Sequence, residues 1–481
     1  MDHSIRVQIG LAAAAALLAA APVRAAEPAA QGKTVTEQVL DILREQGTLD
    51  ETRYQALKLQ AEQERRALEE HAREQAEKAE KLPAVAAAGE TAQPAEPAKP
   101  DPEGWRIYFK DYLRIERNDG QYKLHVGGMT QWDIAGIDTD QDLKDAGFNN
   151  QGNGEEFRRA RLSIDGELGE NAIFKAEYDF AGGDANFADV WMGLQRIPYV
   201  GRLQAGHFKE PYSLEEQTSD RFITFMERAL PVLAFSPARN AGVALSSTAF
   251  QQRLTWGVGA FRDANNFGNS FSNQELYNVT ARVTGLPVYQ EDGGTLVHVG
   301  YNYSHRFRDD DNVSFAPDPE VHLSDPIVDT GNIPANGVDV FGAELATVIG
   351  PVSLQGEFMD ALVDQASGSN ANLWGGYAYA SWFVTGEHRA YDLRTGAFAR
   401  TSPKESFSFS KGQWGALELG ARYSYVDLNN GDVRGGIESD VTAAVNWYLY
   451  SNLRLMLNYV WAHRNNIGDQ NTVMTRFSLD F

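Results

Sequence analysis

The 481-residue chain has no cysteine. Disulfide staples, thiolate chemistry and Cys-ligated metals are therefore excluded, and a large sheet would have to hold a chain of this length together. Beyond its first 25 residues it has no apolar run near the ~20 residues that carry a helix across a bilayer. Its nine histidines show no HExxH or other paired ligand spacing. No GxSxG elbow accompanies the serines, and turns such as "GENAIF" do not make a phosphate-cradling loop. Nothing in the sequence calls for an enzyme, a cofactor, a metal or a nucleic-acid partner. Mean hydropathy is low, at -0.41, yet aromatics reach 11%. A soluble protein can show both values, and so can a transmembrane barrel, in which half of each strand faces water.

The opening "MDHSIRVQIGLAAAAALLAAAPVRAAEP" has one early cation, a short apolar run and small residues near Ala25. It reads as a signal peptide over residues 1–25, with an N-terminal membrane anchor as the alternative. The mature chain is then exported. Residues 33–82 read as a helical, coiled-coil-like segment. Gly47 stops a short amphipathic stretch and Asp50 offers an N-cap. Tyr54, Leu57, Ala61 and Leu68 form an apolar seam that Glu64, His71 and Gln75 interrupt, so an oligomerising stalk and a solvated single helix both stand. Residues 83–104 are a Pro- and Ala-rich linker.

Residues 105–481 are different. Runs of about ten residues alternate in polarity between Gly, Asn, Asp and Pro. Counted back from the end, strands fall near 471–481, 453–464, 436–449, 414–427, 373–385, 351–363, 336–349 and 294–306. Others fall near 274–284, 251–262, 239–248, 200–208, 186–196, 171–180, 156–168 and 121–133. The spacing predicts an all-β, 16-stranded antiparallel transmembrane β-barrel, with "WRIYFKDYLRIE" as a lead-in. Tight connections ("LGEN", "IPY", "STAFQ", "IGP", "YSN") alternate with long ones at 134–155, 209–238, 263–273, 307–335 and 429–435, as in outer-membrane barrels. The exception is 386–413, a long link where the count wants a short one. Leu453, Leu455, Leu457, Tyr459 and Trp461 oppose Arg454, Met456 and Asn458. An Arg or Lys on a lipid face costs about 2–4 kcal/mol at midplane, and the apolar strips are nearly free of charge. The chain ends "TVMTRFSLDF", a strand closing on Phe481 that must pair with the first strand to remove the open edge.

"FRRARLSIDGELGENAIFKAEYDFAGG", "AGHFKEPYSLEEQTSDRFITFMERALPVLAFSPARNAGVAL", "WFVTGEHRAYDLRTGAF" and "WGALELGARYSYVDL" together resemble the phosphate-selective porin O and P family. The resemblance covers roughly 121–481, and it keeps the strand register through 386–413. It implies a homotrimeric outer-membrane porin set among lipid and lipopolysaccharide. It also implies a third long loop folded inward, basic residues that bind phosphate or other small anions, and a terminal Phe481 read by the barrel-insertion machinery.

Read from the residues, loop 209–238 carries Lys209, Arg221 and Arg228 beside Ser219, against Glu210, Glu215, Glu216, Asp220 and Glu227. Arg158 adjoins Arg159 and Arg161, which lie on the watery face of their strand. Lys175 shares a polar face with Glu177 and Asp179, and Lys123 and His125 lie on another. An acidic loop facing a basic wall makes a transverse field that selects ions by sign, and arginine forks suit phosphate oxygens. The resemblance also shows a departure. Phosphate-selective members place a lysine beside serines where this chain has Glu215, Glu216 and Gln217. The barrel region holds 31 basic against 48 acidic residues, so a generally basic pore is not expected. Cations and small organic solutes stay open as permeants, and a structural tether is an alternative of another class. Asp318, Glu320, Asp325 and Asp329 read as a hydrated acidic surface loop, with bridging of divalent cations to lipopolysaccharide as the alternative.

Overall fold

The computed structural model describes residues 55, 58–59, 101, 103–148, 152–270 and 277–481. The chain divides into two units, 1–98 and 99–481. The expected leader (1–25), helical segment (33–82) and linker (83–104) lie outside the described residues, apart from helical Gln55, Lys58 and Leu59 and residues 101, 103 and 104.

Alternation of polarity is realised as strands with two unlike faces. The lead-in is a hairpin of β1 (Trp105–Lys110) and β2 (Tyr112–Arg117). The ring then runs β3 (Tyr122–Thr139), β4 (Gly154–Leu168), β5 (Ala172–Asp179), β6 (Asn186–Ile197), β7 (Gly201–Lys209) and β8 (Arg239–Ala249). It continues through β9 (Leu254–Arg262), β10 (Asn278–Gln290), β11 (Thr295–Val313), β12 (Ile333–Ile349), β13 (Val352–Gln365) and β14 (Ala371–Phe383). Two short strands, β15 (Tyr391–Asp392) and β16 (Ala397–Phe398), form a separate hairpin. The ring ends with β17 (Ala416–Asn430), β18 (Val433–Tyr450), β19 (Leu453–Arg464) and β20 (Gly468–Asp480). Of the eighteen strands in the main sheet, sixteen close an antiparallel barrel, in the order the sequence gives.

The strands outrun their expected ends at the long-loop rim. β11 reaches Val313 rather than 306, and the acidic "RDDDN" is strand. The expected loop 429–435 shrinks to residues 431–432 between β17 and β18. Sequence patterning misses these extensions because turn-forming residues persist into them.

Closure is made at Phe481. β20 pairs β3 from Gln470↔Thr139 to Asp480↔Met129. Gly128 N–H then donates to Phe481 O at 2.7 Å, and Phe481 N–H donates back at 3.1 Å. Two glycines admit the terminal residue. A Cβ on Gly127 would sit 2.5 Å from Phe481 O, and one on Gly128 would sit 2.4 Å from Arg161 O and 2.9 Å from the Phe481 ring.

Three segments enter the lumen. Loop 210–238 crosses it with two short helices, α1 (Leu214–Gln217) and α2 (Leu230–Phe235). Ser213 caps α1, accepting from Glu216 N–H. The Glu357 carboxylate accepts from Leu214 and Glu215 N–H at 2.9 and 2.8 Å, where a helix start favours negative charge. Phe225, Leu230, Val232 and Phe235 pack on inward-facing Val338, Val340, Met359, Ala361, Tyr377 and Tyr379. Burying each of the large side chains contributes about 1.5–3 kcal/mol, so apolar packing is a principal hold on this loop.

Loop 314–332 turns inward at Glu320, which corrects in part its reading as a hydrated surface loop, since Asp325 and Asp329 stay exposed. Glu320 is 1% exposed and meets Arg422, Ser424 and Thr442 on the wall. Val321 and Leu323 pack with Met226, Met456 and Met474. The long link 384–415 leaves the register intact, and its β15–β16 hairpin enters the barrel from the short-turn end. Arg282 of β10 donates to Gly396 O at 2.8 Å, the Tyr391 hydroxyl meets His298 at 2.7 Å, and Arg389 lies 3.6 Å over the Phe398 ring.

Candidate functional site: the loop–wall seam

The sequence places the loop's acids and the wall's bases on opposite sides of a watery gap. In the structure they touch. A bulge in β4 is the local cause. Gln131 pairs with Arg159 and Trp132 with Phe157, which leaves Arg158 as the extra residue. A bulge re-aims side chains, and here Arg158 and Arg159 both reach lumen carboxylates. Arg158 grips Glu227 bidentately at 2.9 and 3.0 Å. Arg159 lies 3.2 Å from Asp220 and donates to Gln131 at 2.8 Å, with 3% of its side chain exposed. Arg161 bridges Asp179 at 2.6 Å and Asp220 at 2.8 Å.

The loop's own cations join the knot. Arg228 holds Asp220 and Glu216, each at 2.8 Å. Lys209 meets Glu216 at 3.1 Å, and Arg221 lies 3.5 Å from Glu177. Lys175 contacts Asp189 at 2.8 Å and Glu177 at 3.2 Å. Ser219 only caps its own turn, accepting from Arg221 N–H at 3.3 Å. Glu215 lies across the lumen and pairs with Arg422 at 3.3 Å. Every basic candidate is thus brought to the seam, while Glu215 and Ser219 are turned to structural duties. Lys123 and His125 stay apart near the short-turn rim, paired with Glu167 at 3.1 Å and Asp165 at 2.9 Å.

Pairing fixes the charge states. Burial pushes the Asp220 carboxyl up, but Arg159, Arg228 and Arg161 outweigh it and hold the group well below the ordinary carboxylate range. Burial does the same at Glu227, where Arg158, Arg159 and Arg476 win. Asp318, in the other inward loop, shows the opposite balance. Burial pushes it up to about 6, and His322 pulls it down only in part.

Several residues that matter were not singled out from sequence. Arg239, just past the loop, donates to Asp189 at 2.8 Å. Arg202 stacks 4.5 Å over Trp191. Arg476 is fully buried, gripping Asp133 at 2.7 and 2.6 Å and Glu227 at 2.7 Å. A cavity of about 300 Å³ at the long-loop end is lined by Arg262, Arg306 and Arg308 with Asp263, Asn278 and Asn312. "HRFR" at 305–308 carried a usable signal, because alternation puts both arginines on one face.

Around the seam, nine cations (Arg158, Arg159, Arg161, Lys175, Lys209, Arg221, Arg228, Arg239, Arg476) share seven carboxylates (Asp133, Glu177, Asp179, Asp189, Glu216, Asp220, Glu227). Residues 124–481 match the family described as phosphate-selective porin O and P. The chain belongs to that family. An uncharacterized protein of Caulobacter vibrioides is 30% identical over 347 residues, covering 71% of this chain and 68% of that one. Porin O of Pseudomonas aeruginosa is 23% identical over 408 residues, covering 76% of this chain and 88% of its own length. Among solved structures, the anion-selective porin from Comamonas acidovorans is 13% identical, with TM-score 0.48, covering 75% of this chain and all of that one. Family and closed barrel make this chain a porin of the bacterial outer membrane.

Proposed function

We propose that this porin lets small anions diffuse passively across the outer membrane, past the wall formed by β4–β8. The observation that carries the reading is the excess of cations at the seam, nine against seven, in a chain whose net charge is -23. Lys175, Arg221 and Arg239 keep 22%, 17% and 18% of their side chains exposed, so they meet a passing ion. Arg262, Arg306 and Arg308 would gather anions at the outer mouth, and their forks suit phosphate. Arg158 and Arg159 act behind this surface by holding Glu227 and Asp220 in place.

A second reading is a porin with little preference for sign, taking small hydrophilic or organic solutes. The close pairing of each seam cation with a carboxylate, and Glu215, Glu216 and Gln217 in the stretch where the resemblance sets a lysine, favour it. Reversal potentials across a planar bilayer in a chloride gradient separate the two. The anion reading expects chloride preference and current inhibition by added inorganic phosphate, whereas a potential near zero supports the second reading. We also propose a homotrimer among lipid and lipopolysaccharide, insertion read through Phe481, cleavage after about Ala25, and 33–82 as a helical stalk on the 83–104 linker.

A further inference from the structure

The hairpin β1–β2 precedes residue 124, where the family match begins, so its role is not inherited from that match. Its register separates two faces. Trp105↔Arg117, Ile107↔Ile115 and Phe109↔Leu113 share one face, and Arg106↔Glu116, Tyr108↔Arg114 and Lys110↔Tyr112 share the other. β2 continues the edge of β3 just below the point where β20 ends, with Leu113↔Val126 and Ile115↔Leu124. Leu124 and Val126 in turn pair with Gly166 and Ile164 of β4. Ile164 is 44% exposed on the outward wall, as are Leu479 at 43% and Phe481 at 41%. The hairpin's apolar face is therefore coplanar with the lipid-facing wall and fills the step left because β20 ends above the start of β3.

That face is open: Trp105, Ile107 and Phe109 are 57%, 68% and 63% exposed. On the opposite face, the residues of β2 turn inward against the barrel, while Arg106, Tyr108 and Lys110 of β1 stay exposed. The Tyr112 ring lies 5.1 Å from that of His125, and Glu116 is 3.7 Å from His125. Arg106, Lys110, Arg114 and Arg117 give the hairpin a basic rim against Asp111 and Glu116, suited to anionic headgroups. Aromatic and basic residues at the end of an apolar wall are the composition of a membrane interface.

We propose that the β1–β2 hairpin is an interfacial anchor, its Trp105–Ile107–Phe109 face lying in the periplasmic leaflet of the outer membrane as an extension of the barrel wall. The absence of cysteine makes the test clean. Single variants Ile107→Cys, Phe109→Cys, Tyr108→Cys and Lys110→Cys of the full-length mature porin are spin-labelled. Each is reconstituted in phosphatidylethanolamine–phosphatidylglycerol vesicles and probed by collision with oxygen and with a water-soluble nickel chelate. Folding is confirmed for each by heat-modifiable electrophoretic mobility. Labels at 107 and 109 should collide several-fold more with oxygen than with the chelate, and labels at 108 and 110 should show the reverse. Equal access of the chelate to all four positions would overturn the proposal. So would labels at 107 and 109 shielded from both probes with spin–spin broadening, which would mean that a second copy of the chain covers the face.

Discussion

The two halves of the barrel wall treat their inward faces differently. At the long-loop end of β12–β14, inward residues are apolar and sealed: Val340 is 1% exposed, Met359 0% and Leu373 0%, while Glu344 and Glu357 lie buried nearer the short turns. On β4–β8 they are charged and stay in touch with water, as Lys175 and Arg239 do. Loop 210–238 accounts for the contrast. It lays Phe225 and α2 against the first half and turns Lys209, Asp220 and Arg228 toward the second. A porin lumen can thus hold a hydrophobic core on one side and an ion path on the other.

The largest expected effects are at the loop's buried anchors, one ionic on β20 and one apolar on β12–β14. Arg476→Met leaves Asp133 and Glu227 buried without their shared cation and should cost about 3–5 kcal/mol, seen as a lower temperature for the folded-to-unfolded electrophoretic shift. Phe225→Ala removes a ring that packs edge-on to Tyr379 at 5.2 Å and should cost a similar ~3–5 kcal/mol. It should also raise single-channel current noise as the loop loosens. A small loss in Phe225→Ala would mean that β12–β14 are not the loop's foundation, and a small loss in Arg476→Met that its ionic anchor on β20 is not.

Acid should separate the two inward loops. The folded values of Asp220 and Glu227 lie below the ordinary carboxylate range. Their contribution to stability is therefore present above about pH 4 and lost as pH falls through the depressed values. Asp318 has the opposite sign. Raised to about 6, it favours the seated loop 314–332 below about pH 4 and loses that contribution as pH rises through 6. Limited proteolysis between pH 3 and 8 should protect 210–238 down to the acid limit, while cleavage in 314–332 increases above pH 6. On the open side, Asp189→Asn should cost under about 1 kcal/mol, because the group is partly exposed. Releasing Lys175 and Arg239 should still strengthen chloride preference in reversal-potential measurements.

The open half was the more legible in sequence. Alternation in Arg159–Arg161 and in Lys175–Glu177–Asp179 put those side chains on the watery face; they do point inward, but Arg159 and Glu177 are sealed there by the loop. The count of sixteen strands and the pairing of the last with the first also follow from period-two patterning and turn spacing. The filled half was not legible. Val338, Val340, Met359 and Ala361 point inward as apolar residues, which breaks the greasy-out, polar-in rule, because a loop more than a hundred residues earlier in the chain covers them. The Arg159–Asp220 contact likewise joins positions sixty-one apart, and local pattern carries no information about such pairs. The bulge at Arg158 was hidden for a related reason: one extra residue in a strand does not disturb the polarity count.

The central claim is that ions pass along β4–β8 and not along β12–β14. The most direct test is chemical modification during current recording. A water-soluble charged methanethiosulfonate is applied to Lys175→Cys and Arg239→Cys on one wall and to Val340→Cys and Tyr379→Cys on the other. The account predicts rapid modification with a step in conductance at 175 and 239 and none at 340 and 379. Prompt current changes at 340 and 379 with silence at 175 and 239 would contradict it.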